Sequence, residues 1–122
     1  MSPAAALCLT LVRTGQPLAL RARVADTAWQ RLVGLLAGPP LAAAEGLLLI
    51  PCNAVHCFGM RYAIDVLYLS HLGEVLAMRH AMRPWQMDWP VRGAHAVLEL
   101  PAGRLQQAGV QLGDRLSGLP FP

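Results

Sequence analysis

Lysine is absent from this chain. All ten basic residues among its 122 are Arg, so there is no side-chain amine for a Schiff base and no lysine for a phosphate loop, which removes two enzyme classes. Charge of either sign is scarce, at 14% of residues, while 55% are hydrophobic and the mean hydropathy is +0.41. Such a composition excludes a disordered chain and implies a compact, apolar domain. The arginines, at 13, 21, 23, 31, 61, 79, 83, 92, 104 and 115, form no run. A nucleic-acid footprint would cluster them, so no nucleic-acid partner is expected. Cysteine is limited to three, an odd number that makes no disulfide framework and points to a reducing cytoplasm. Long apolar runs are missing as well. The most apolar window, Leu32 to Ala44, is too short to span a bilayer and contains Gly38-Pro39-Pro40. The first residues, Met1 to Arg13, lack a positive leading region and read as a strand rather than a secretory leader. No Gly-x-Ser-x-Gly, His-Glu-x-x-His or glycine-rich phosphate loop occurs, and no cofactor is implied.

What is present reads as one domain over residues 1–122, with 1–5 and 118–122 as frayed ends. Ala6 to Arg13 and Pro17 to Val24 flank Thr14-Gly15-Gln16, and the second run places Leu18, Leu20, Ala22 and Val24 against Ala19, Arg21 and Arg23. That alternation predicts a hairpin with one wet face. Asp26 or Thr27 can cap a following helix whose Trp29, Leu32, Val33 and Leu36 recur at helical spacing, ending near Ala37. Gly46 to Ile50 reads as a buried strand stopped by Pro51. Tyr62 to Leu69 and Val75 to Met82, joined through Gly73, form a second hairpin. Arg83 to Pro90 is a proline-bounded loop with two tryptophans. Ala94 to Leu100 is a strand stopped by Pro101, Ala102 to Ala108 a short helical turn closed by Gly109, and the segment around Arg115 a last short strand. The sum is an α+β domain: a mostly antiparallel, barrel-like sheet of short strands, one main amphipathic helix and a short second helix.

Chemistry concentrates between Pro51 and Ser70. Cys52, His56 and Cys57 are zinc-ligand types, and His71, His80 or His95 could supply a fourth. The spacing argues against a metal, since adjacent His56 and Cys57 point apart in extended chain and no Cys-x-x-Cys knuckle exists. The cysteines are better read as small packed hydrophobes. Thiolate catalysis by Cys52 or Cys57 with His56 meets the same geometric objection. Asp65, between Ile64 and Val66, needs a partner if buried, which Arg61, Arg79 or a backbone cap could give. Glu99 poses the same question in its strand. Met60, Trp85, Met87 and Trp89 could line an apolar groove beside His56 and Arg61.

The segments Gln30-Arg31-Leu-Val-Gly34-Leu-Leu36, Gly46-Leu-Leu-Leu49, Cys52-Asn-Ala-Val-His56, Met60-Arg61, Ile64-Asp65-Val66, Gly73-Glu-Val75, Pro84-Trp85, Val97-Leu-Glu-Leu-Pro-Ala-Gly103, Gly109 and Leu112-Gly-Asp114 follow one another in a recognisable order. In that order and spacing the chain resembles the prokaryotic family catalogued as domain of unknown function 192. The resemblance covers roughly Leu18 to Leu116, with Val97 to Gly103 its most specific part. It implies a small stand-alone α+β domain with a barrel-like sheet, of bacterial or archaeal type, and no established reaction or catalytic residues. Cys57 stands where similar chains carry a hydroxyl or apolar residue, so a Cys52/Cys57 site is not a family property. The function expected is a non-enzymatic module binding a peptide or small ligand at His56, Met60, Arg61, Asp65 and Trp85, with Glu99 as a further candidate. Two alternatives stay open: a hydrolase-type enzyme using His56 with Asp65 or Glu99, and a metal-binding accessory protein at Cys52, His56 and Cys57. A bacterial cytoplasmic monomer or weak dimer, without a membrane or nucleic-acid partner, completes the expectation.

Overall fold

The computed structural model describes residues 6–25, 41–53, 62–83 and 86–121. Seven strands alternate along the chain with a single short helix among these residues: β1 (Leu7–Leu11), β2 (Pro17–Ala25), β3 (Glu45–Leu49), β4 (Ile64–Leu69), β5 (Val75–Met82), β6 (Ala96–Pro101), α1 (Arg104–Ala108) and β7 (Leu116–Ser117). They form one sheet in the order β5-β4-β6-β3-β2-β1-β7. All neighbours are antiparallel except β2 and β3. A parallel pair needs a connection of a dozen residues or more, and the chain between Ala25 and Glu45 is long enough to supply it.

The sheet curls until its edges meet at one end. Glu74 and Arg115 form an isolated antiparallel bridge. Beside it, Val75 N–H donates to the Asp114 carbonyl at 2.8 Å and Leu116 N–H to the Gly73 carbonyl at 3.0 Å. A bidentate ion pair holds the turn before β7: Arg13 Nε to Asp114 Oδ1 at 2.8 Å and Nη2 to Oδ2 at 3.0 Å. This guanidinium keeps the Asp114 carboxyl below its ordinary value.

Both faces of the sheet are buried. Leu9, Leu11, Leu18, Leu48, Leu67, Leu98, Leu100 and Leu116 belong to a first cluster drawn from all seven strands, which Leu105 of α1 joins. Leu119 and Phe121 pack against the same cluster. Ala25, Leu47, Leu49, Ile64, Val66, Tyr68, Met82 and Val97 make a second cluster on the opposite face. Every residue of β4 is therefore buried.

These observations correct the α+β expectation. Strand residues build most of both clusters, to which α1 adds Leu105 with Ala108 packed beside it, so the described structure is nearly all-β and its single helix is a five-residue accessory. That helix is the short second one anticipated from Ala102 to Ala108. The main amphipathic helix expected from Asp26 to Ala37 falls outside the described residues. The wet-face reading of β2 also needs amendment. Register shifts between Leu7, Leu9 and Thr10 break its alternation, and Leu20 is left 53% exposed although its period placed it with the buried set.

Candidate functional site

Strand register lays out the second face. Directly opposed residues of neighbouring strands share a face, so Arg23, Leu47, Glu99, Val66 and Arg79 align in one row across β2, β3, β6, β4 and β5. The next row holds Ala25, Leu49, Val97, Tyr68 and Ala77. Glu99 is thus a lone acid in the middle of an apolar patch. Its residue exposure is 1%, and its Oε2 has no hydrogen-bond partner among the described residues. Burial pushes the carboxyl up to about 8, so at neutral pH it is an uncharged acid with an O–H to donate. An orphaned buried polar atom costs about 1–3 kcal/mol.

Two polar groupings border the acid. Tyr62, half-buried against the second cluster, has its phenol raised first by burial, then by Glu99, with Arg23 acting the other way. Glu99 and Arg23 therefore each lie within electrostatic reach of Tyr62. On the other side the Tyr68 hydroxyl donates to Asp88 Oδ2 at 2.7 Å. Arg79 Nε reaches the same oxygen at 2.7 Å, and its guanidinium carbon lies 5.6 Å from the Tyr68 ring centre. Burial and then the Asp88 bond raise the Tyr68 phenol above its ordinary value, so it stays protonated and anchors the loop carrying Asp88. Met87 and Trp89, the neighbours of Asp88, are 61% and 85% exposed.

Asp65 points the other way. It opposes Leu100 where Val66 opposes Glu99, so the two strand carboxyls occupy opposite faces and form no acid/base pair. Its Oδ1 accepts the Ala81 N–H at 2.8 Å and its Oδ2 the Leu105 N–H at 2.9 Å. Among the described residues its partners are backbone N–H groups and no arginine. His56, Met60, Arg61 and Trp85 lie outside the described residues, as does Cys57. Cys52 packs half-buried against the second cluster. Among the described residues no three His, Cys, Asp or Glu side chains group as metal ligands would.

The reading of the sequence left Arg23, Tyr62, Tyr68 and Asp88 out of the site. One signal was available: once Gly73 turns the second hairpin, pairing places Arg79 opposite Val66, on the face of Glu99. The contact of Asp88 with Tyr68 comes from a loop and has no periodic trace.

The fold and site together define a class: a small, nearly all-β domain with a curled sheet, closed at one end, and a buried neutral acid on its second face. The chain belongs to the domain-of-unknown-function-192 family, described as "Uncharacterized ACR", whose model matches residues 9–118. It is 31% identical over 101 residues to a UPF0127 protein of Thermococcus sibiricus, covering 79% of this chain and 64% of that protein. It is 32% identical over 108 residues to UPF0127 protein PF1050 of Pyrococcus furiosus, covering 86% and 92%. The chain thus spans less than two thirds of the first relative's length. Among solved structures, a Sinorhizobium meliloti protein described as a "putative transcription regulator" superposes with a TM-score of 0.82 at 24% identity, covering 97% of each chain. A protein of unknown function from Novosphingobium aromaticivorans gives a TM-score of 0.80 at 20% identity, covering 96% and 93%. These likenesses establish the fold alone.

Proposed function

We propose that this family member is a non-enzymatic binding module, taking a peptide or small ligand on the second face of the sheet around Glu99. The observation that carries the reading is the orphaned Oε2 of Glu99, a buried polar atom between Leu47 and Val66 held at a cost to stability. Asp65 is no ligand contact in this reading, because both its oxygens hold backbone N–H groups. An open depression of about 310 Å³ lies at the β5 edge of the sheet, lined by Arg79, His80, Met82, Gln86, Met87 and Asp88 among others, with Arg79 two strands from Glu99 in the same row. His56, Met60, Arg61 and Trp85 stay in the proposal on sequence grounds. Cys52 and Tyr62, on either side of the first three, pack against the second cluster, and Gln86, following Trp85, lines the depression. No helix among the described residues is long and apolar enough to cross a membrane, and a cytoplasmic monomer or weak dimer belongs to the same proposal.

The test is a ¹⁵N-labelled sample of the full chain titrated with a library of small acids, small amides and short peptides. Ligands that fit move the amide signals of Leu47, Val66, Tyr68, Arg79 and Val97 together. Changes confined to α1 and its surroundings, or none at millimolar concentration, would overturn the reading.

A further inference from the structure

We propose that the group received at Glu99 is a carboxylate carried on an apolar body, either a small monocarboxylic acid or the free C-terminus of a peptide ending in an apolar residue. This rests on the reading above that the second face is the binding face. Charge balance argues for it. Among the described residues, the groups on this face around Glu99 are Arg21 and Arg23 of β2, Glu45 of β3, Tyr68 of β4, Arg79 of β5, and the neighbouring Tyr62, Cys52 and Asp88. Arg79 is neutralised by Asp88, and Arg21 stands directly opposite Glu45. Arg23 makes no ion pair among the described residues. By count, three arginines against Glu45 and Asp88 leave one positive charge among the described residues of this face, and Arg23 stands in the same row as the acid, separated from it by Leu47. Strands lie about 4.8 Å apart, so two strand spacings are within the span of an arginine and a glutamate reaching toward one carboxylate.

The acid itself selects the same ligand. Burial raises the Glu99 carboxyl and its Oε2 has no partner among the described residues, so it keeps its proton. An uncharged carboxyl donating to a carboxylate makes a short, charge-assisted bond, stronger than one between neutral groups. A cation would have to expel that proton and sit beside a surplus arginine. A phosphate dianion would bring more charge among Leu47, Val66 and Val97 than Arg23 can balance. A single negative charge on an apolar body satisfies both the pair and the row.

Calorimetric titration compares N-acetyl-leucine with N-acetyl-leucinamide, its uncharged counterpart. A tetrapeptide ending in leucine, with its C-terminus free or amidated, separates the two ligand sources. Wild type should bind the acid at least tenfold more tightly than the amide. Affinity should fall about tenfold between pH 7 and pH 9, as an ionised Glu99 comes to face the carboxylate. Glu99→Gln keeps an N–H donor and should bind the acid without that pH dependence. Arg23→Gln should weaken the acid several-fold and leave the amide unchanged. A free peptide binding better than N-acetyl-leucine assigns the C-terminus as the source, and the reverse assigns a small acid. Equal binding of acid and amide, the same pH fall in Glu99→Gln, or no binding of either acid overturns the inference. If amides alone shift the signals of the second face, the carboxylate fails and the binding face stands. If no compound shifts them, both fall.

Discussion

At the scale of single residues, Glu99 gives the sharpest expectations. A carboxyl that ionises near 4.5 when unfolded and at about 8 when folded binds more protons in the native state across that interval. Stability should therefore be fully present below pH 4.5 and fall as pH rises toward 8, by at most about 1.4 kcal/mol per pH unit, then level off. Urea melts of wild type and Glu99→Gln at pH 5, 6.5, 8 and 9 isolate this contribution, and parallel curves would refute it. Glu99→Leu removes the orphaned oxygen at similar volume, so it should stabilise the protein by about 1–3 kcal/mol at pH 7 while abolishing ligand-induced shifts on the second face. A destabilised Glu99→Leu would mean that Glu99 has a structural partner after all. Both strand carboxyls were visible in the sequence as acids in apolar runs. Which of them the backbone would satisfy was not, because that depends on α1 and the Ala81 kink arriving at one face from distant parts of the chain.

At the scale of elements, Asp65 ties together two pieces with no local support. Ala81 sits in β5 at φ 49°, a conformation unfavourable for a residue with a Cβ, and its N–H is held by Asp65. Helix α1 follows Gly103, which offers no side-chain cap, and Asp65 accepts the Leu105 N–H in its place. One side chain thus stabilises the strand kink and the helix start. Asp65→Ala leaves two N–H groups without their acceptor and should cost about 2–5 kcal/mol. Asp65→Asn, with one accepting oxygen, should fall between. Hydrogen exchange at Leu105 and Ala81 is the check: if both amides keep wild-type protection in Asp65→Ala, the carboxylate does not hold these elements. Element positions were largely legible. Val75–Met82 matches its sequence boundaries, and the turn from Arg104 to Ala108 closes at Gly109 as its composition implied. Leu20 escaped its period because the register shifts opposite β2 depend on its partner strand, which alternation within β2 cannot report.

At the scale of the whole molecule, the weighting of helix against sheet was the part least readable from residues. Periodicity shows that Trp29, Leu32 and Leu36 could form a stripe, but not that the described core would be made by both faces of one sheet. Curling has no local signature either, since it joins residues about forty positions apart, as Glu74 with Arg115. Glycine nevertheless marks where the closure is tight. Gly118 has φ 92°, and a Cβ there would collide with the carbonyl oxygen of Cys8, a backbone atom of β1 that cannot turn aside. Gly15 also has a left-handed φ, 71°, with nothing within 4 Å of the Cβ position. The two sites separate conformational strain from crowding. Gly15→Ala should lose about 1–2 kcal/mol from backbone strain alone. Gly118→Ala should lose clearly more, because β7 must move off β1, where Thr10 pairs with Ser117 and Leu11 with Leu116. Movement of β7 would also loosen the hydrogen bonds that join the edges, so exchange at Val12, Leu116 and Val75 should accelerate in Gly118→Ala and not in Gly15→Ala. Equal losses and equal exchange in the two variants would show that the sheet closes without the close approach of Gly118 to Cys8.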